Sequence, residues 1–499
     1  MDTDRAGSDV FAVSRQCFDQ LVGFLGGDGA GGLTHAELED QLAMRGRELV
    51  RQLFQDHLDL RALREARRDD VVDAAGVGRG AVEADHRRGL ATVFGEVTIT
   101  RLAYRRRGHA NLHPADAGLN LPAEKYSHGL RRLAAIEASR GSFDAAVDAL
   151  ERACGQQVGK RQVEGLAAAA VVDFETFYTA RQPPAGAVQD ILVLSADGKG
   201  IVMRPDALRP ATRKAAESSK AKLASRLSKG EKRGRKRMAE VGAVYDITPT
   251  ARSPADVMAS HDDHETLPAP VATGKWLTAS VVDNAAEVVA RLFDEAERRD
   301  PDHTRTWVAL VDGNNHQIDR IHTEACDRGV EITIVIDFIH VLEYLWGAAW
   351  SFFDEGDPAA ETWVADKAAA VLEGNARHVA TGIRRRATRH RLQASERINA
   401  DRCATYLTNK AGYLHYPTAL ASGWPIATGV IEGACRHLVK DRMDLTGARW
   451  SLDGAEAILK LRALRSNGDF DDYWIFHLAA ERRRIHESRY VDNVIPQAS

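Results

Sequence analysis

Three acids far apart in this chain of 499 residues, Asp197, Asp312 and Glu432, are the side chains whose type and setting suit demanding chemistry. Cutting or joining a phosphodiester with two divalent cations needs carboxylates that converge from separate elements and hold the ions about 3.5–4 Å apart. One ion then activates the attacking oxygen and the other stabilises the leaving oxygen. Oxygen-only ligands suit Mg²⁺ or Mn²⁺, because hard cations prefer hard donors. Taken singly, each acid has a plainer reading: Asp197-Gly198 and Asp312-Gly313 follow apolar runs as turn pairs do, and Glu432 could be a solvated helix residue. Their joint placement is what singles them out. Arg436 and Lys440 follow Glu432 at α-helical spacing, where they could hold phosphates beside the metals.

The elements that must bring these acids together can be read from the apolar patterning. A strand over residues 191–195 ends at Asp197, further strands cover 239–247 and 276–282, and a helix spans 285–298. A buried strand over 306–311 ends at Asp312, followed by a helix at 318–328 and a strand at 332–336. Three strands, helix, strand, helix, strand is the order of a ribonuclease-H-like core. Beyond Asp337 the pattern is helical throughout, so residues 338–425 are expected to form a helical insertion, and 429–442 the last core helix. The expected fold is therefore α/β: a ribonuclease-H-like mixed sheet with a large all-helical insertion, preceded by a mainly helical N-terminal DNA-binding region. In domain terms this gives 1–90 as a helical, dimerisation-suited region and 91–180 as a hairpin plus helix-turn-helix-like region. The catalytic domain is 188–337 with 426–465, and 466–499 is a helical tail.

Several segments suit contact with nucleic acid. Residues 33–68 begin with Thr34 and Glu37 at capping-box spacing and continue as a long amphipathic helix. Residues 92–105 read as a hairpin turning at Gly95-Glu96. Helices near 130–139 and 143–153, the turn at Cys154-Gly155 and a helix from Lys160 have helix-turn-helix spacing, which would present Lys160, Arg161 and Gln162 to a major groove. Any small helical bundle would show the same turn. Residues 181–187, with Pro183-Pro184, read as a linker. Residues 204–237 contain 13 Lys or Arg against three acids. Lys232, Arg233, Arg235, Lys236 and Arg237 head the candidates for a phosphate-tracking arm, and Arg385 and Arg386 belong to a second basic patch. Asp337 and His340 form a D-x-x-H pair that could support the site or simply cap and fill a helix. Arg449-Trp450 suits stacking on an unpaired base, or a packed loop.

Bulk properties limit the alternatives. Net charge is only −4, but it is strongly segregated along the chain. The five cysteines are scattered with no C-x-x-C pair, against a zinc ribbon or disulfide framework. No apolar run has the length of a membrane span, and the first residues lack a secretory pattern, so a cytoplasmic, nucleoid-associated protein is expected.

The strings SADGKGIVM from Ser195, WVALVDGNNHQI from Trp307, VIDFIHVLEYLW from Val335 and PIATGVIEGACRHLVKDRMDLTGARWS from Pro425 resemble insertion-sequence transposases of the Kra type. The likeness runs from VFGEVTITRLAYRR at Val93 almost to the C-terminus. It implies a DDE transposase with Asp197, Asp312 and Glu432 as catalytic and metal-ligating triad. It also implies two Mg²⁺ or Mn²⁺ ions, terminal inverted repeats and target DNA as partners, and a homo-oligomer on DNA. A ribonuclease-H-like nuclease without strand transfer, and a domesticated non-catalytic DNA-binding protein, are the alternatives.

Overall fold

The computed structural model describes residues 9–184, 186–218, 235–259, 267–445 and 447–497. They fall into two compact units, Met1–Thr179 with Asp469–Ser499, and Ala180–Gly468. Lys232 and Arg233 lie outside the described residues.

The first unit opens with α1 (Ala12–Gly26) and α2 (His35–Leu63). The capping box expected for α2 is present: the Thr34 hydroxyl accepts from Glu37 N, and the Glu37 carboxylate accepts from Thr34 N at 2.8 Å. A hairpin follows, but not as expected. Its strands are β1 (Ala81–Thr92) and β2 (Gly95–Arg105), paired antiparallel with Thr92 opposite Gly95, so Val93-Phe94 make the turn and Gly95 belongs to the second strand. β1 is mostly solvent-exposed until its last residues and shifts register between Glu83 and His86, so it lacks the apolar alternation by which a strand is recognised. Helices α3 (His128–Arg140), α4 (Phe143–Cys154) and α5 (Lys160–Ala169) match the three expected there. Gly155 ends α4 in the left-handed conformation at φ 67°, which costs glycine little. The helix Phe470–Ile485 packs within this unit: Glu481 pairs with Arg131 at 2.6 Å, His477 with Asp173 at 2.7 Å, and the Tyr473 hydroxyl donates to Ala170 O at 2.7 Å.

The second unit is built on a five-stranded mixed sheet of β3 (Ile191–Met203), β4 (Arg235–Ile247), β5 (Ala272–Ser280), β6 (Trp307–Val311) and β7 (Ile332–Ile336). Their order is β5-β4-β3-β6-β7; β3, β4 and β5 pair antiparallel, while β6 runs parallel to both β3 and β7. WVALV in β6 is buried along its whole length, as a parallel strand covered on both faces requires. Between β5 and β6 lies α6 (Ala285–Arg299), capped by Asn284 and Glu287; it buries Val288, Leu292 and Phe293, each contributing about 1.5–3 kcal/mol. Gly242 of β4 lets that helix approach, since a Cβ there would stand 2.6 Å from Leu292 Cδ2. Between β6 and β7 lies α7 (Asn315–Arg328).

Helices alone follow β7: α8 (Phe338–Ala349), α9 (Pro358–Leu372), α10 (Ala376–Arg389), α11 (Ile398–Asn409) and α12 (Gly429–Ala434). α12 runs directly into a π-helical segment, Cys435–Lys440. Last comes α13 (Leu452–Ser466), which packs on β5; its buried Glu456 accepts from Val281 N at 2.9 Å. Among the described residues no helix is long and apolar enough to cross a membrane.

Candidate functional site

Asp197 does not end its strand. β3 continues through Asp197-Gly198 to Met203 because β4 pairs with it over that whole length, Asp197 facing Val241 and Gly198 facing Glu240. The parallel partner β6 leaves earlier, its last pair being Leu194 with Ala309. Continued in the same register, Asp197 on β3 comes level with Asp312, the residue just after β6. On the other side Val311 pairs with Ile336, so Asp312 comes level with Asp337, whose N–H donates to Val311 O at 2.8 Å. By extension of the register, Asp197 within β3 and the residues that follow β6 and β7, Asp312 and Asp337, come to one level of the sheet.

The segment carrying Glu432 is pinned at both ends to the outer two of these aspartates. The Thr428 hydroxyl donates to Asp337 Oδ2, and Cys435 Sγ donates to Asp197 Oδ2 at 3.3 Å. Since β6 lies between β3 and β7, Asp312 sits between the two anchors. Glu432 itself is exposed on the first turn of α12, which packs on β3 and β4. The change to π-helical hydrogen bonding at Cys435 alters the expected four-residue face. Arg436 and Lys440 are exposed, and Arg436 reaches Asp441 at 3.8 Å. π segments inside helices recur at functional sites.

Asp197 and Asp312 are half-buried, and each accepts a nearby backbone N–H: Gly198 N to Asp197 Oδ1 at 2.6 Å, and Asn314 N to Asp312 Oδ1 at 2.8 Å. Asp312 also forms one wall of an open cavity of about 320 Å³ with His340, Glu343, Tyr344, Asn399 and Arg402. His340 Nδ1 lies 3.0 Å from Glu343 Oε2. Burial opposes charge on His340, but the Glu343 hydrogen bond and the Asp337 and Asp312 carboxylates outweigh it, so its pKa is raised. The Tyr344 ring stacks on Tyr406 at 3.9 Å, and the Tyr406 hydroxyl donates to Asp312 O at 3.2 Å.

Asp337 is fully buried and caps α8, accepting from Ile339 N at 2.9 Å. Burial raises its pKa against the pull of the Thr428 and Ile339 hydrogen bonds. Its plainer reading, an N-cap, describes what it touches.

Four residues near the acids went unremarked in the sequence. Glu240, facing Gly198, has its pKa raised by burial and further by Asp197. The sign of it was an acid set within the apolar run from Ala239 to Tyr245. Cys435 is 5% exposed, and burial together with the Asp197 carboxylate keeps its thiol protonated. Lys410 is buried with Asp312 as a charge neighbour and donates to Asn315 Oδ1. Thr428 anchors Asp337 as described.

Of the candidate DNA contacts, some are otherwise engaged. Trp450 was expected to offer a stacking surface, but it is 5% exposed, its indole N–H donates to Met443 O at 3.0 Å, and Arg442 covers its ring at 4.6 Å. That corrects the expectation: the ring fills the core, while the neighbouring Arg449 is exposed. Arg237 donates to Val281 O at 2.7 Å and Ala207 O at 3.2 Å, which fixes it between loops instead of freeing it for phosphate. Arg386 lies over Phe353 at 4.5 Å and Phe352 at 4.9 Å, whereas Arg385 is exposed. Arg235 and Lys236 begin β4, with Lys236 exposed. In the first unit Lys160 pairs with Asp144 at 2.6 Å, the Gln162 side-chain Oε1 accepts from Gly159 N at 2.9 Å, and Arg161 is exposed.

As donors, Asp197, Asp312 and Glu432 fit a hard divalent cation. Their placement fits less completely: among the described residues no three His, Cys, Asp or Glu side chains are gathered to hold one ion together. No family model matches the chain, and no curated protein matches it in sequence.

Proposed function

We propose that this chain is a DNA transposase of the DDE type, acting on insertion-sequence ends with Asp197, Asp312 and Glu432 as its acidic residues. The observation that carries the reading is the level shared by Asp197 and Asp312 on neighbouring strands, with the Glu432 segment pinned across them by Thr428 and Cys435. We read the sheet as ribonuclease-H-like, supported by its order β5-β4-β3-β6-β7, and the helices between β7 and α12 as an insertion that separates the third acid from the first two.

Asp197, Asp312 and Glu432 would hold Mg²⁺ or Mn²⁺, which would supply activation of the attacking oxygen and stabilisation of the leaving oxygen. Asp197 and Asp312 are preset by backbone hydrogen bonds that fix one oxygen of each; the second oxygen of Asp197 accepts from the Cys435 thiol. Glu432 is exposed on the short helix held between Asp337 and Asp197, which leaves its carboxylate open to solvent beside them. The exposed Lys199, two residues past Asp197 on β3, and Arg436 and Lys440, on the π-helical segment after Glu432, are cations that would meet backbone phosphates. In this mechanism the 3′-hydroxyl freed by cleavage attacks target DNA at the same site, with no covalent protein intermediate.

The test is purified protein with Mg²⁺ and a supercoiled donor carrying the element ends, beside Asp312→Ala. Nicked and joined products from the parent chain alone support the reading; free ends without joined DNA indicate a nuclease. Equal cleavage by both proteins removes Asp312 from the site, and cleavage by neither, where binding persists, leaves a DNA-binding protein.

A further inference from the structure

Away from those acids, the first unit contains a cavity of about 280 Å³ with an unbalanced charge lining. Arg88 comes from β1, Arg101 from β2, and Arg489 from the segment after the helix Phe470–Ile485; His113 and Asn111 add polar groups. One acid, Asp116, shares the wall, and it is spent on Arg101, with Nε 2.6 Å from Oδ1. Arg101 is 7% exposed and also donates to His86 O at 3.1 Å. The Arg88 guanidinium is held in place by the carbonyls of Pro122, at 2.6 Å, and Glu124. The side chain of Arg489 makes no hydrogen bond or ion pair among the described residues.

Three guanidiniums against one carboxylate leave an excess of positive charge in a partly enclosed space, which attracts an anion to it. The surroundings register that excess. His113 has its pKa pushed down to about 4, by burial first and then by Arg101, His86, Arg489 and Arg88. His86 Nδ1 and His113 Nε2 lie 2.9 Å apart as hydrogen-bond partners, and neither ring brings negative charge to offset it.

We propose that this cavity, between Arg88, Arg101 and Arg489, is a binding site for a phosphate group. Guanidiniums present forked N–H donors that match phosphate oxygens, and the surplus left after Asp116 is paired corresponds to the charge of a phosphate dianion. Asn111 adds a side-chain amide to the same wall. The phosphate is either that of a DNA backbone or a free anion, and the chemistry of recognition is common to both. The site does not depend on the catalytic reading of Asp197, Asp312 and Glu432.

The experiment is calorimetric titration of the full chain with inorganic phosphate at constant ionic strength, against chloride, for the parent chain, Arg489→Ala and Arg483→Ala. Arg489 is exposed and its side chain is unpartnered among the described residues, so its replacement leaves the fold intact. Arg483 is an exposed arginine outside the cavity. Saturable binding that weakens roughly ten-fold or more in Arg489→Ala and stays unchanged in Arg483→Ala supports the site. Competition by unlabelled duplex DNA then assigns the source: displacement of phosphate identifies a backbone phosphate, and retention identifies a free anion. If phosphate alone is too weak to saturate, a loss of duplex affinity specific to Arg489→Ala also supports the site. Equal affinity of the parent and Arg489→Ala for both ligands, or equal losses in Arg489→Ala and Arg483→Ala, overturns it.

Discussion

Asp337 separates a positioning role from a catalytic one, because its hydrogen bonds specify what each replacement should cost. It is 0% exposed, caps α8 through Ile339 N at 2.9 Å, and accepts from the Thr428 hydroxyl that anchors the Glu432 segment. Asp337→Ala removes the cap, worth about 0.5–2 kcal/mol, and a hydrogen bond to a charged acceptor, worth about 1.5–3 kcal/mol. It also leaves the Thr428 hydroxyl buried without its acceptor, so the expected loss is roughly 2–5 kcal/mol. Asp337→Asn keeps one oxygen for Ile339 N and puts an NH₂ in place of Oδ2, which can donate to the Thr428 hydroxyl oxygen, so it should retain the cap and most of that stability. Urea denaturation of the three proteins measures this directly, and strand cleavage with Mg²⁺ is measured alongside. The expected pattern is a destabilised Asp337→Ala and an Asp337→Asn that stays both folded and active. An Asp337→Asn of parental stability whose cleavage is as low as that of Asp312→Asn would refute the capping account and make Asp337 a ligand.

Other outcomes follow from the same structure. Trp450→Ala should destabilise the second unit by about 3–5 kcal/mol, as loss of a core aromatic does, whereas Arg449→Ala should leave stability within about 0.5 kcal/mol; thermal melts distinguish them. Gly423→Ala should unfold or strongly destabilise the second unit, since a Cβ would stand 2.3 Å from Thr250 N and the residue has φ 71°; soluble yield and melting report it. The first unit should lose stability on acidification. His113 is held down to about 4, and His128, His477 and His486 are lowered, in each case by burial first. An unfolded histidine takes up its proton near pH 6.5, so stability is full above that pH and falls as the pH drops toward 4, where native His113 also protonates. His113→Gln should flatten that part of the melting profile, and an unchanged profile would contradict the assignment.

What could be read from the sequence and what could not divides along physical lines. β6 and β7 were legible because buried parallel strands are nearly continuous apolar runs, and α2 and α6 because Thr34 with Glu37 and Asn284 with Glu287 write their caps locally. Local signals also marked Asp312, which ends a short buried strand. They misplaced Asp197, since the continuation of β3 beyond Gly198 is imposed by pairing with β4, a partner distant in sequence. β1 was missed for a similar reason: its exposed, charged residues are held by backbone pairing with β2 and bury little. Nor does local patterning announce that Glu481 and His477 pack against Arg131 and Asp173, or that Trp450 turns inward. The cysteine bonded to Asp197 and the π segment that carries it depend on tertiary contacts no short motif encodes.

The central claim, that Asp197, Asp312 and Glu432 act as one site, is tested most directly by a double-mutant cycle of Mg²⁺-dependent strand cleavage. Asp312→Asn, Glu432→Gln and the pair combined are compared under single-turnover conditions. Groups that serve one site are strongly non-additive, so the double variant should be no slower than the worse single one, with each single variant already near background. Parental cleavage by Glu432→Gln, or losses that simply add, would contradict the account.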